Sequence, residues 1–227
     1  AIFSLEMSNV QLVNRLISNV CEIEGEKIKS GRLSDQEWDQ LNTRIKNLYS
    51  APLYIDDTPS LSITELRTKA RRLVREHNVE MILIDYLQLM NATGMKFGSR
   101  EQEVSTISRN LKALAKELNI PIIALSQLSR NTESREDKRP VLSDLRESGA
   151  IEQDADIVLM LERASTSEDG RDVSMWIRKN RQGKAGDYKV DIEGNETFTA
   201  FKDKNDPTPP PPETWYSDLD DDNDIPF

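Results

Sequence analysis

The chain has 227 residues, of which 31% are charged and 37% hydrophobic, so it is long enough for one large domain with an appendage. Its formal net charge of −10 is unevenly placed. Residues 203–227 carry eight acidic residues and one lysine, which leaves −3 for the rest and excludes a globally basic nucleic-acid-binding protein. The single cysteine, Cys21, excludes an internal disulfide framework, and no apolar run approaches the ~20 residues of a membrane span, so we expect a cytoplasmic protein with no membrane contact.

The first elements alternate strand and helix. Residues 1–5 already read as a strand, without an initiator Met, so we expect a fragment whose amino-terminal part lies upstream of Ala1. Ser8 is a candidate N-cap for a helix with one apolar face, formed by Val10, Val13, Ile17 and Val20. Ser34 and Glu37 form a capping box for a second helix, whose apolar face we expect to fill the core, namely Trp38, Leu41, Ile45 and Leu48.

The later elements indicate a parallel sheet. Apolar runs typical of buried strands occupy residues 52–55, 80–85, 121–125 and 156–161, with helices predicted after Ser62 and around residues 104–118. From Val173 the pattern changes to alternating strands with a hairpin marked by Gly183 and Gly186. The order predicts an α/β domain with a mostly parallel sheet, helices on both faces and an antiparallel extension.

Three of the apolar runs end in polar residues of catalytic type: Glu6, Asp85 and Gln127. The carboxyl ends of parallel strands open into the ligand crevice, so neighbouring strands would bring the three together in one site. Asp85 would then hold Mg²⁺ through water. The alternative from this stretch alone is that Asp85 simply begins a loop.

Hydrolysis of a nucleoside triphosphate needs a Mg²⁺ ligand, a group that activates water, a sensor of the γ-phosphate and cations for the developing charge. Asp85, Glu6, Gln127 and the pair Lys179 and Arg181 are candidates for these roles. The phosphate-binding loop G-x-x-x-x-G-K-[ST] is absent, because the one Gly-Lys dipeptide, at 183–184, continues into Ala185 in a hairpin. If this is a P-loop enzyme, we expect that loop upstream of Ala1.

Several longer motifs resemble one family. They are residues 4–7 (SLEM), 84–89 (IDYLQL), 124–130 (ALSQLSR), 144–156 (DLRESGAIEQDAD) and 179–183 (KNRQG). Together they are similar to the successive motifs of the C-terminal motor domain of the DnaB-type replicative DNA helicase. The similarity runs over residues 1–202 and implies a RecA-like P-loop NTPase core, incomplete at its amino terminus, whose first strand and P-loop are missing.

The resemblance implies a role for each matching residue. Asp85 matches the Walker B aspartate that binds Mg²⁺, and Glu6 the catalytic glutamate that activates water. Gln127 matches the residue that couples the γ-phosphate of ATP to the DNA-binding loops. Lys179 and Arg181 match the basic pair that reaches the neighbouring subunit's nucleotide.

The turn at residues 146–149 matches a loop that grips single-stranded DNA, with Arg146, Glu147 and Gly149 as its DNA-binding residues. A backbone N–H and one Arg suit phosphate contact that ignores sequence. The family implies a homohexameric ring that translocates 5′ to 3′ on one strand and unwinds duplex DNA at the replication fork. Its implied partners are primase and a helicase loader.

Each role has a simpler alternative. Glu6 is also explained as an exposed residue at a helix start, where the dipole favours a carboxylate. Gln127 could be an ordinary loop amide, and Lys179 and Arg181 basic residues that discourage pairing at a sheet edge. Arg146 could be tied locally to Asp144 or Glu147.

Residues 203–227 form a separate region. The proline run at 209–212 favours polyproline II, and an acidic stretch follows, so we expect a solvated, disordered tail. Its tip, DDDNDIPF at 220–227, resembles the end of bacterial single-stranded-DNA-binding proteins and suggests a contact with replication proteins. The alternative is a solubilising tail.

Two other functions stay open at this point. Without a P-loop the chain could be a non-catalytic fragment or interaction module. It could also be a RecA-like ATPase of recombination or repair, which the long motif at 144–156 speaks against.

Overall fold

The computed structural model describes residues 1–94, 96–129, 135, 139–145, 149–163, 172–195, 197 and 199–203. Its strands form two four-stranded sheets. The first is parallel, in the order β2-β1-β3-β4, with β1 Ile2–Ser4, β2 Ile55–Asp56, β3 Ile82–Asp85 and β4 Ile122–Ala124. The second is antiparallel, in chain order, with β5 Ile157–Arg163, β6 Asp172–Asn180, β7 Lys189–Asn195 and β8 Ala200–Asp203. The predicted parallel sheet with an antiparallel extension is confirmed. The placement of the run at 156–161 in the parallel sheet is wrong, because β5 pairs antiparallel with β6.

The described helices are α1 Asn9–Cys21, α2 Gly25–Ser30, α3 Asp35–Arg44, α4 Lys46–Tyr49, α5 Ile63–His77, α6 Arg100–Leu118 and α7 Gly149–Asp154. Three of them, α1, α3 and α5, begin at the serine caps that the sequence predicts. Ser8 and Ser34 both form complete capping boxes, and the Ser62 hydroxyl accepts a hydrogen bond from the Glu65 N–H. These caps satisfy backbone N–H groups that a helix start otherwise leaves unpaired. In the described part of the chain, no helix is both long and apolar enough to cross a membrane.

The main core lies between the parallel sheet and helices α5 and α6. Phe3, Ile82 and Ile84 are fully buried from the sheet side. They belong to one apolar cluster with residues of both helices, which include Leu66, Ala70, Val104, Ile107 and Leu114. Burial of each large side chain contributes roughly 1.5–3 kcal/mol, so this cluster holds the two central strands, β1 and β3, in place.

The prediction that α3 fills the core is wrong. None of its residues is buried, and Trp38 is 45% exposed. In α1, Val10 and Val13 are also exposed, whereas Ser18 and Cys21 are buried. The periodicity identifies which residues share a face but not what packs on it, and here α1 contacts α2 and α3.

The strands β4 and β5 are also less buried than their apolar runs predict. Ile123 and Leu125 are exposed at β4, which lies at one end of the parallel sheet. Alternate residues of β5 are exposed too, since Leu159 has 52% of its surface accessible while Val158 and Met160 are buried. An uninterrupted apolar run therefore did not guarantee burial on both faces.

Candidate functional site

Three predicted site residues lie at the end of the parallel sheet where its strands have their carboxyl termini. Asp85 is the last residue of β3 and pairs in register with Ser4, the last residue of β1. The chain continues the pairing, because the Leu5 N–H donates to the Asp85 carbonyl at 2.7 Å. Glu6 follows directly and is exposed, so the two carboxylates leave adjacent strands at their carboxyl ends.

The turn that carries Glu6 is anchored on both sides. The hydroxyl of buried Ser4 accepts a hydrogen bond from the Met7 N–H at 3.3 Å. Immediately afterwards the Ser8 side chain begins α1 by its capping box with Gln11. Glu6 therefore occupies a short bend between a buried strand end and a capped helix.

Gln127 follows the third strand end. After β4, the Leu125 N–H still donates to the Ile84 carbonyl at 2.9 Å. Gln127 lies two residues beyond Leu125 and is exposed. The strands β1, β3 and β4 are consecutive in the sheet, so the prediction that these strand ends are neighbours is confirmed.

The side chain of Gln88 holds the main chain of Gln127. Its amide oxygen accepts from the Gln127 N–H at 3.2 Å, and its amide nitrogen donates to the Gln127 carbonyl, also at 3.2 Å. The same nitrogen donates to the Ser126 hydroxyl at 2.9 Å. Gln88 lies inside the motif at 84–89, but the sequence did not indicate this role, because it depends on the approach of two segments about 40 residues apart in the chain.

Arg100, the first residue of α6, ties the same region to the helix. Its guanidinium donates to the carbonyls of Gln88 at 2.7 Å and Met90 at 2.9 Å, and it is ion-paired with Glu103. Partial burial would raise the pKa of Glu103, but the Ala92 N–H and Arg100 outweigh it and lower that pKa. Sequence reasoning also missed this residue, since nothing local distinguishes Arg100 from other basic residues at helix starts.

Lys179 and Arg181 lie at and just after the end of β6, where they contact α7. Lys179 donates to the carbonyls of Glu152 and Gln153, and Arg181 donates to those of Gln153 and Ala155. Burial and then the charge of Arg181 lower the pKa of Lys179. Among the described hydrogen bonds and ion pairs, none joins Lys179 or Arg181 to Glu6, Asp85 or Gln127.

The predicted DNA-binding loop is only partly described. Arg146 and Glu147 lie outside the described residues, as do residues 204–227 of the predicted tail. Gly149 is the first residue of α7 and borders a surface cleft of ≈ 710 Å³, which Phe97 and Arg109 also line. This cleft is separate from the strand-end site, since its lining includes none of that site's residues.

A family comparison decides what kind of domain this is. The model of the family described as DnaB-like helicase C terminal domain matches residues 1–203. This chain belongs to that family. The resemblance carried by the five motifs is thereby confirmed.

Relatives with the DnaB name are similar over most of this chain. Replicative DNA helicase DnaB of Geobacillus stearothermophilus is 48% identical over 194 residues, which cover 84% of this chain and 43% of that protein. Replicative DNA helicase DnaB of Mycobacterium leprae is 49% identical over 186 residues, which cover 80% of this chain and 31% of that protein.

Solved structures share the fold as well as the sequence pattern. One, described as an ATPase domain, has a TM-score of 0.82 at 37% identity, over 89% of this chain and 73% of that chain. A structure of a DnaB-like replicative helicase and its interactions with primase has a TM-score of 0.80 at 37% identity, over 88% of this chain and 49% of that chain.

The match with the DnaB proteins is partial in length. The chain covers 43%, 31% and 32% of three of these curated relatives, less than half of each. The fold and family are therefore shown for residues 1–203.

The oxygen donors at these strand ends fit a hard cation. Asp85 and Glu6 leave adjacent strand ends, and carboxylate oxygen is the ligand type that Mg²⁺ prefers. Within the described residues there is no group of three or more His, Cys, Asp or Glu that could hold a metal alone. This donor set suits Mg²⁺, which usually takes one or two carboxylates together with water and phosphate oxygens.

Proposed function

We propose that this chain is the greater part of the motor domain of an ATP-driven replicative DNA helicase. The observation that carries the proposal is the placement of Glu6, Asp85 and Gln127 at three consecutive strand ends of a DnaB-family domain. Hydrolysis of a nucleoside triphosphate is mostly positioning and electrostatic stabilisation, which a rigid sheet edge supplies.

The three strand-end residues have different roles in this reaction. ATP is the substrate, and Mg²⁺, which Asp85 would help to hold, would neutralise part of the charge on its phosphates. A carboxylate oxygen of Glu6 accepts a proton from the water that attacks the γ-phosphorus, and ADP leaves. Gln127 contacts the γ-phosphate through its side-chain amide and couples that contact to the DNA-binding loops.

Lys179 and Arg181 act on a neighbouring subunit's nucleotide in a homohexameric ring. Support comes from their described contacts, which are with α7 and not with the strand-end residues of their own chain. An Arg with fixed charge and several N–H groups suits the stabilisation of phosphoryl oxygens.

Single-stranded DNA is the proposed track, held by Arg146, Glu147 and Gly149 in the channel of the ring. Such contacts are made to phosphates, which are the same at every base, and so they permit movement along any sequence. The proposed direction of movement is 5′ to 3′.

Primase and a helicase loader are the proposed partners, with support for primase from the relative whose structure includes its interactions with primase. We also propose that the acidic tail contacts other replication proteins.

The phosphate-binding loop is proposed to come from outside residues 1–227, which contain no G-x-x-x-x-G-K-[ST]. A further strand that precedes such a loop would find exposed apolar partners at β4 and β5. This accounts for the incomplete burial of two strands that the sequence predicts as buried.

The test is the variant Glu6→Gln in the full-length parent protein. We expect ATP turnover stimulated by single-stranded DNA to fall by roughly 10²–10⁴-fold, because a positioned proton acceptor is lost. Binding of a fluorescent ATP analogue should persist. Glu26→Gln, an exposed substitution in the first turn of α2, serves as the control and should keep full turnover. Unchanged turnover in Glu6→Gln would remove Glu6 from the mechanism.

The second candidate function is a non-catalytic interaction module, which the missing phosphate-binding loop favours. The coding sequence upstream of Ala1 separates the two. An in-frame G-x-x-x-x-G-K-[ST] supports the motor, whereas a start codon beside Ala1 supports the module. A recombination or repair ATPase is disfavoured by the DnaB family match.

A further inference from the structure

Gln88 contacts Gln127 through both groups of its side-chain amide. The amide accepts from the Gln127 N–H and donates to the Gln127 carbonyl, each at 3.2 Å. This is the pattern by which a residue of a neighbouring strand pairs with a backbone. One side chain thus restrains both backbone groups of the predicted γ-phosphate sensor.

The main chain itself cannot supply this pairing. Leu125 pairs with Ile84, and the Leu87 N–H donates to the Leu125 carbonyl at 2.9 Å. At Leu87 the chain then enters a 3-10 turn, Leu87–Leu89, and stops running beside β4. The Gln88 side chain extends the ladder past this point, where an unpaired loop would otherwise begin.

Gln88 is itself held from the side of α6. Arg100 donates to the Gln88 and Met90 carbonyls and pairs with Glu103, whose carboxylate accepts from the Ala92 N–H at 2.9 Å. A continuous set of hydrogen bonds therefore runs from Gln127 through Gln88 to the start of α6. The same helix lines the cleft that Gly149, a residue of the predicted DNA-binding turn, also borders.

We propose that Gln88 is a positioning residue, which fixes the backbone of Gln127 so that its side chain is presented beside Asp85 and moves together with the start of α6. This inference rests on the proposed function, because Gln127 matters here as the γ-phosphate sensor. Gln88 need not touch the nucleotide. Its contribution is the geometry of Gln127 and the link from that residue to α6.

The main test is Gln88→Leu in the full-length parent protein, which removes both hydrogen-bonding groups at similar size. We expect kcat for ATP in the presence of single-stranded DNA to fall roughly tenfold, with the KM for ATP changed less than about threefold. DNA stimulation of turnover should fall with it. If Gln88 only stabilised a loop, the ratio of ATP turnover with single-stranded DNA to turnover without it would be unchanged in the folded variant.

A matched control is Gln40→Leu. Gln40 of α3 also restrains a backbone group with its side-chain amide, since its nitrogen donates to the Cys21 carbonyl at 2.6 Å, but it makes no described hydrogen bond to Gln88, Gln127 or α6. We expect Gln40→Leu to keep the kcat of the parent within about twofold. An equal loss of kcat in both variants would overturn the proposal.

A second variant covers the event that Gln88→Leu does not fold. Gln88→Glu keeps an acceptor for the Gln127 N–H and places a carboxylate oxygen against the Gln127 carbonyl, so we expect a partial loss of kcat. The proposal would be overturned if Gln88→Glu had the same kcat and the same stimulation by DNA as the parent protein.

Hydrogen–deuterium exchange provides a measurement that does not depend on ATP hydrolysis. In Gln88→Leu the peptide that contains Gln127 should exchange faster than in the parent, because its N–H loses its acceptor. Unchanged exchange would overturn the proposal, as would faster exchange with parental kcat and DNA stimulation. If the parent itself hydrolyses no ATP, the proposed function fails, and the exchange rate still decides whether Gln88 holds Gln127.

Discussion

At the scale of single residues, Lys179 and Arg181 donate hydrogen bonds to α7, and Arg181 also forms an ion pair with Asp156. Both donate to carbonyls at the carboxyl end of α7, where a helix leaves such groups unpaired and favours positive charge. Arg181 is also 3.4 Å from the Asp156 carboxylate, and Asp156 is ion-paired with Lys112 of α6. The hydrogen bond with Lys112 is the main reason that the pKa of Asp156 is lowered. The basic pair therefore stabilises its own subunit in addition to its proposed role across the ring.

This contact predicts a stability effect for Arg181→Ala. We expect the free energy of unfolding to fall by roughly 1 kcal/mol, because α7 loses hydrogen bonds to its terminal carbonyls. Urea unfolding of the purified chain measures it. Arg72→Ala, at an exposed position of α5, is the control and should change the free energy of unfolding by less than about 0.5 kcal/mol. If Arg181 served only the neighbouring subunit, both variants would be as stable as the parent.

At the scale of elements, α5 and α6 are joined by one acidic residue. Glu117 of α6 accepts from Arg67 at 2.7 Å and from Arg71 at 2.5 Å, both in α5. These two guanidinium groups lower the pKa of Glu117 to about 2, with Arg71 the larger cause. Helices α5 and α6 are thus held together by ion pairs at the surface as well as by packing in the apolar core.

The lowered pKa predicts a pH-dependent contribution from Glu117. Its value in the unfolded chain is about 4.3, so the stabilisation is present above that pH and is lost as pH falls toward about 2. We expect Glu117→Gln to be less stable than the parent at pH 7, with a difference that shrinks between pH ~5 and ~2. Thermal unfolding across this range tests the expectation.

Glu80→Gln is the control for the pH series. Glu80 is exposed and has no ion pair within the described part of the chain. Its substitution should leave the dependence of stability on pH close to that of the parent. A difference between Glu117→Gln and the parent that stays constant from pH 7 to 2 would contradict the role assigned to Glu117.

At the scale of the whole molecule, apolar residues are exposed on two terminal strands. Ile157, Leu159 and Leu161 of β5 are all more than half exposed, and Ile123 and Leu125 are exposed at β4. Both strands stand at the end of the described strand order of their sheets. Exposed apolar strands at sheet edges favour association with further chain.

We therefore expect the purified chain to self-associate, and the double variant Leu159→Thr with Leu161→Thr to reduce that association. The melting temperature should stay within a few degrees of the parent, because neither side chain is buried. Sedimentation velocity measures the association. Val158→Thr, at a buried neighbouring position, should instead destabilise the fold by roughly 1–3 kcal/mol. Unchanged association in the double variant would show that β5 is not the contact surface.

The sequence alone determined the features that depend on neighbouring residues. Ser8, Ser34 and Ser62 cap helices because a cap needs only groups three residues away. The end of β3 at Asp85, the position of Gln127 just after β4, and the family itself followed from short runs and motifs in the same way.

Only the tertiary structure decided the features that depend on distant segments. The exposure of Trp38 reflects what packs on its helix, which periodicity does not encode. The contact between Gln88 and Gln127, and that of Arg181 with α7, require particular registers between segments far apart in the chain. A hydrogen bond forms only within a few tenths of an ångström of its proper distance, and that precision comes from packing of the whole core rather than from any one stretch of sequence.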